Sequence, residues 1–199
     1  MHGKMAGHAH KPFESPQKYL EFLERPERAQ WQKPDAIVAA LGLKGDETVV
    51  DIGAGSGYFS MRLARQVPRG RVIATDVQPE MVRYLEQRAA SEGARNVQAV
   101  LATPEDPTVS GEASTIFLCD VLHHVEHPAK WLARMHQEAR VGARLVVVEF
   151  KEGDLPQGPP ASMKLTRAET IRLVTTAGFK HTGELAVELP YQYVVTFER

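Results

Sequence analysis

From Glu47 onward, short apolar runs alternate with amphipathic stretches, and this alternation is what most limits the fold. Thr48–Ile52, Arg71–Thr75, Val97–Leu101, Ser114–Cys119 and Arg144–Phe150 are short and rich in β-branched or aliphatic residues. They read as buried strands. Tyr58–Val67, Gln78–Glu92 and Pro128–Arg140 carry their apolar residues at helical spacing, as with Met81, Val82 and Leu85. Pro128 and Gly142 mark the start and end of the last of these. Thr166 and Glu169 form a capping-box pattern that opens a helix running to Gly178. Strands that alternate with helices require a parallel sheet covered on both faces. His181–Leu189 and Tyr191–Glu198 are separated only by Pro190, too close for a crossover, so they should be antiparallel. The expected fold class is α/β, a three-layer sandwich with about seven strands.

The front of the chain reads differently. Residues 1–14 are rich in His, Gly and Lys and read as a solvated tail. His8 and His10 are two ligands without visible partners, so no metal site is expected. Ser15-Pro16 is an N-cap followed by proline at the first helical position, with a short helix to Arg25. Trp31-Gln-Lys-Pro34 opens another helix, Asp35–Leu41, which Gly42 stops. The expected organisation is a tail and lid helix over 1–32 and one domain over 33–199.

Charge and composition remove several function classes. The 199 residues carry 24 Lys+Arg against 25 Asp+Glu, a net charge of −1, which argues against a nucleic-acid binder. No apolar run approaches a membrane span, and the first ten residues hold no apolar stretch of a secretory signal. Cys119 is the single cysteine, so no internal disulfide forms and a cytoplasmic location is expected.

The chemistry begins where the first strand turns into a helix, at Asp51-Ile-Gly53-Ala54-Gly55-Ser-Gly57. Ligands of open α/β sheets bind at the carboxyl ends of strands, and glycines there let backbone approach a ligand closely. Asp76 ends the next strand, 19 residues after Gly57, where an acidic side chain can accept ribose hydroxyls. A dinucleotide loop would place its third glycine at position 58, which is Tyr58. The spacing therefore favours a nucleoside without phosphates, and Asp51 suits a cationic amino group.

These two segments, residues 49–60 and 72–77, resemble the first two motifs of the class I S-adenosylmethionine-dependent methyltransferases, and the resemblance extends over about Lys33 to Arg199. Its closest look is to small-molecule enzymes of the ubiquinone/menaquinone-biosynthesis type. The resemblance implies a Rossmann-like, seven-stranded, mostly parallel sheet with an antiparallel last strand, and S-adenosylmethionine as cofactor. It implies that Asp51 serves the methionyl end and that the backbone from Gly53 through Ala54 and Gly55 to Gly57 cradles the cofactor. Asp76 then holds the ribose and Val77 packs on the adenine. The third-strand motif departs from the family pattern: Thr103 stands where an adenine-binding Asp is usual, and its hydroxyl or Glu105 is the substitute. Cys119 would offer its carbonyl to the methionyl ammonium.

Phe117-Leu-Cys-Asp-Val-Leu-His-His-Val125 places a strand end beside the expected sulfonium and resembles the family's D-x-L-H-H-V segment. Methyl transfer needs acceptor and methyl group held in near-attack geometry, and an oxygen or nitrogen acceptor also needs a base. His123 is the candidate base, with His124 as a second histidine and Asp120 as its orienting carboxylate; His127 reads as a helix cap. Tyr19, Phe22, Trp31, the segment Glu149–Met163 including Lys151, and Tyr191 and Tyr193 are the expected acceptor-side residues. The partner expected is a small-molecule acceptor. A binding module that holds the cofactor without turnover is the second reading, and a nicotinamide-dependent oxidoreductase the third.

Overall fold

The structure is a computed structural model that describes residues 16–199, so the expectations for the tail, His8, His10 and the Ser15 cap lie outside the described residues. Three short helices lead in: α1 (Pro16–Leu23), α2 (Arg28–Gln32) and α3 (Pro34–Ala40). The alternating part follows as β1 (Thr48–Ile52), α4 (Ser60–Gln66), β2 (Arg71–Asp76), α5 (Pro79–Ser91), β3 (Val97–Leu101), β4 (Thr115–Cys119), α6 (Pro128–Glu138), β5 (Arg144–Phe150), α7 (Arg167–Thr176), β6 (Lys180–Glu184) and β7 (Gln192–Glu198).

The strands make one seven-stranded sheet in the order β3-β2-β1-β4-β5-β7-β6. The first five are parallel, and β7 runs antiparallel to both β5 and β6. From β1 the chain winds outward through β2 to β3, then returns to place β4 and β5 on β1's other side. The order therefore reverses between β1 and β4, and a crevice for ligand opens at the carboxyl ends of strands at such a point.

Successive residues of a strand face opposite sides, and the core divides accordingly. Leu145 and Val147 pack with Trp131, Leu132 and Met135 of α6 and Val174 of α7. Val146 and Val148 pack on the other face with Ile37 and Val38 of α3 and Leu63 and Ala64 of α4. Leu85 of α5 joins Met61 and Ala74 on that second face. These are the three layers, and no described helix is long and apolar enough to cross a membrane.

The Thr166–Glu169 capping box forms as the sequence predicts, with Glu169 N donating to Thr166 Oγ1 at 3.1 Å and Thr166 N to Glu169 Oε2 at 2.9 Å. Elsewhere the structure departs from expectation. α2 is an extra turn of helix, closed by Lys33 at φ 46° before Pro34 starts α3. The penultimate strand ends at Glu184 rather than Leu189, and a bulge between His181 and Gly183 shifts its register with β7.

Candidate active site

The glycine loop leaves β1 exactly at the crevice. Gly53 has φ +67°, and a Cβ on it would lie 2.5 Å from Val121 Cγ2. Gly57 has φ +81°, and its Cβ would lie 2.6 Å from Leu85. Both positions need glycine for conformation and for space. The loop is fixed from beneath by Asp76, whose Oδ2 accepts from Gly55 N and whose Oδ1 accepts from Gln78 N, each at 2.9 Å.

Asp51 is buried and accepts a hydrogen bond from Ser60 Oγ at 2.5 Å. Burial pushes its carboxyl up to about 7, against the opposing effect of the Ser60 bond. Val77 follows Asp76 and is half-buried, whereas Thr103 and Glu105 are exposed beyond the end of β3. Ala54 is half-buried within the loop, between Gly53 and Gly55.

At the end of β4 the backbone turns sharply. Asp120 takes φ +60°, and Leu122–His124 form a single 3-10 turn. The Asp120 carboxylate accepts from Gln32 Nε2 at 3.1 Å and from Gln192 Nε2 at 2.6 Å. Burial, together with the charge of Glu149, raises it to about 6. The Cys119 thiol takes a contact from Gln32 Nε2 at 3.3 Å, and burial pushes its pKa up, which disfavours the thiolate.

The orienting carboxylate of His123 is Glu149, not Asp120. His123 Nδ1 and Glu149 Oε2 are 2.6 Å apart, and His123 N donates to Glu149 Oε1 at 3.2 Å. Asp120 cannot take that role because its two oxygens are turned to Gln32 and Gln192. Burial pulls the His123 pKa down, but the Glu149 bond and charge outweigh it and the net direction is up. The His124 ring packs on His123 at 4.1 Å between centroids. His127 stands at the N-cap of α6 but makes no capping bond with its side chain.

α1 lies across the glycine loop. Leu23 is the side chain that a Cβ on Gly55 would meet, and Glu24 bonds Ser56 Oγ and pairs with Arg88 at 2.6 Å. Tyr19 is carried into the crevice; burial, with the nearby charge of Asp76, pushes its phenol up to about 12. Trp31 packs 5.7 Å from Phe150 and 6.2 Å from Tyr191. Phe22 stacks on Tyr19 and is half exposed. Tyr193 is not an acceptor-side residue: it faces the core on the α7 side, and its hydroxyl bonds Thr170 and the Leu165 carbonyl. Lys151 is tied to the Leu189 carbonyl at 2.7 Å.

Gln32, Gln192 and Ser60 are buried partners of the site that sequence reading missed. The cavity of about 610 Å³ lined by Lys44, Glu47, Ser114 and Arg144 lies at the opposite, N-terminal edge of the strands, away from these residues.

These residues fit the cofactor that the motifs imply. The glycine loop turns at positive φ with no room for a Cβ at Gly53 or Gly57, and Asp76 is held at its mouth by Gly55 N and Gln78 N. Asp51 and Asp120 bring two carboxyl groups to the ends of the neighbouring strands β1 and β4.

Known proteins agree with this geometry. A family model described as a methyltransferase domain matches residues 49–142. An uncharacterized methyltransferase of Mycobacterium bovis is 32% identical over 124 residues, which are 62% of this chain and 61% of that protein. A ubiquinone/menaquinone biosynthesis C-methyltransferase of Geobacter sp. is 25% identical over 122 residues, 60% of this chain and 52% of that protein. The chain thus covers less than two thirds of these curated relatives. The crystal structure of a SAM-dependent methyltransferase from Aquifex aeolicus matches with a TM-score of 0.84 over 92% of this chain and 97% of that one, at 27% identity. The glycine loop, the sheet order and these likenesses together support a class I S-adenosylmethionine-dependent methyltransferase.

Proposed function

We propose that the chain transfers a methyl group to an oxygen or nitrogen of a small-molecule acceptor, with His123 as general base and Glu149 as its orienting carboxylate. The observation that carries this reading is the 2.6 Å contact between His123 Nδ1 and Glu149 Oε2 at the ends of neighbouring strands. When bound, S-adenosylmethionine supplies an electrophilic methyl group. The chain's residues do the rest. Gly53, Ala54, Gly55 and Gly57 cradle the cofactor, Asp76 accepts the ribose hydroxyls and Val77 and Thr103 border the adenine. Asp51, Asp120 and the Cys119 carbonyl serve the methionyl end. Glu149 keeps the imidazole proton on Nδ1, so Nε2 is the nitrogen that takes the acceptor's proton. A carbon acceptor that is already nucleophilic would leave this pair without work.

A small acceptor suits the aromatic side chains gathered beside the crevice. Trp31 of α2 meets Phe150 at the end of β5 and Tyr191 just before β7. On this reading, residues 33–199 are the catalytic unit and the segment before them is its lid. The single thiol and the balanced charge suit a cytoplasmic enzyme acting on a metabolite rather than a nucleic acid.

A metabolite extract incubated with methyl-labelled cofactor tests the proposal. The label should enter a small molecule, and His123→Ala should abolish most of that transfer while cofactor affinity is kept. Label in nucleic acid, or tight cofactor binding without any transfer, would contradict it; the second outcome would favour a binding module.

A further inference from the structure

The glycine loop and its neighbours occupy the carboxyl ends of the strands. At the opposite edge β1, β4 and β5 begin side by side, with Thr115 in register with Arg144 and Ser114 N donating to the Thr48 carbonyl at 3.0 Å. The cavity of about 610 Å³ opens there, between the segment before β1 and the turn that joins α6 to β5. That volume is in the range of small-molecule sites.

Three cations from three separate segments line it: Lys44 before β1, Arg140 after α6 and Arg144 at the start of β5. Among the described residues, none of the three has a carboxylate within ion-pair distance. Lys44 and Arg140 are exposed to water, but Arg144 is half-buried. Its side chain reaches only the Thr115 hydroxyl, at 3.4 Å. Burial pulls its pKa down, and the charge of Glu47 opposes that without pairing. A half-buried guanidinium with most of its donors unused is a charge that lacks its partner.

The acidic side chains of the wall do not supply one. Glu112 pairs with Arg71 instead. Glu47 accepts from Lys44 N at 2.6 Å, and Asp46 is exposed. The lining keeps an excess of positive charge, Lys44, Arg140 and Arg144 against Asp46 and Glu47, with the hydroxyls of Ser114 and Thr115 beside it. A carboxylate presents its two oxygens in one plane and suits a single guanidinium fork. A phosphate presents its oxygens as a tripod, which matches cations carried by separate segments.

We propose that this edge of the sheet is a second binding site, for a small phosphorylated metabolite whose phosphate lies between Lys44, Arg140 and Arg144. The cavity is larger than a bare phosphate and leaves room for the rest of such a molecule. The site lies at the far end of the strands from the glycine loop, and it does not depend on the methyl-transfer reading.

The test is a titration of the isotope-labelled full chain with inorganic phosphate, followed by amide NMR at constant ionic strength. The amides of Gly42, Ser114 and Gly142 should shift saturably, while those of Gly53 and Gly55 stay in place. Arg144→Met, which keeps the stem and loses the charge, should weaken phosphate roughly tenfold or more, the worth of a charged hydrogen bond. Lys44→Ala, at an exposed position outside the sheet, should weaken it in the same direction without disturbing the fold. No saturable shift, equal shifts with acetate or chloride, or unchanged phosphate affinity in either variant would overturn the proposal. Because phosphate is titrated without cofactor, a failure here leaves the S-adenosylmethionine site untouched, and a failure of that site leaves this result standing.

Discussion

His123 and Glu149 share a 2.6 Å hydrogen bond with side chains only 2% and 1% exposed. Glu149 holds the imidazole pKa above its ordinary value against the pull of burial. A base works when neutral, so activity should appear as pH rises through the raised His123 pKa. Glu149→Gln removes the charge that holds that pKa up. The pH–kcat profile should therefore shift its acidic limb to lower pH while the plateau falls by about 10²-fold, the usual worth of general base catalysis. A fall with no movement of the limb would mean that Glu149 only supports the fold.

The same pair has a structural cost when broken. His123→Ala leaves Glu149 as a buried carboxylate without its partner, which typically destabilises by about 3–5 kcal/mol. Thermal unfolding should show a lower Tm for His123→Ala, and Glu149→Gln should lose less because no charge is stranded. Equal losses would argue that packing, not charge, sets the effect.

Stability should also depend on pH in an unusual direction. Asp51 is raised to about 7 and Asp120 to about 6, both mainly by burial, whereas an unfolded Asp titrates near 4. Between these values the native state binds more protons than the unfolded state, so stability falls as pH rises. The contribution is fully present below about pH 4 and is lost as pH rises to about 7. Cofactor binding runs the opposite way, since an ammonium prefers ionised carboxylates. The Tm of the free protein should fall between pH 5 and 7.5, and the increase in Tm caused by S-adenosylhomocysteine should grow over the same range. Asp51→Asn should flatten both trends.

Gly53→Ala tests the cradle. The added methyl meets Val121 at 2.5 Å, and φ +67° is unfavourable for alanine. A loss of about 1–3 kcal/mol is expected from backbone strain alone. Denaturant unfolding should show it, together with weakened cofactor binding. Gly93→Ala has a similar φ of +67° but nothing within 4 Å, so it should show strain without a binding defect.

Much of this was legible in the sequence because it depends on local signals. The strand β1, the glycine loop and Asp76 follow from periodicity and spacing, and the capping box at Thr166 from a four-residue pattern. Long-range pairing was not legible. His123 and Glu149 are 26 residues apart and meet only because β4 and β5 are neighbours in register. Asp120 looked like the partner because it is close in sequence, but its φ of +60° turns it toward Gln32 and Gln192. Those glutamines carry no motif. Tyr193 was misplaced for a related reason: alternation along β7 sends it to the α7 side, and β7's register with β5 fixes which side that is.

On the proposed reading, the loop and Asp76 form an S-adenosylmethionine site. Isothermal titration of S-adenosylhomocysteine into wild type and Asp76→Ala tests it most directly. Saturable one-site binding by wild type is expected, with a loss of roughly tenfold or more in Asp76→Ala, the worth of charged hydrogen bonds to the ribose. No binding by wild type, or the same affinity in both proteins, would contradict it.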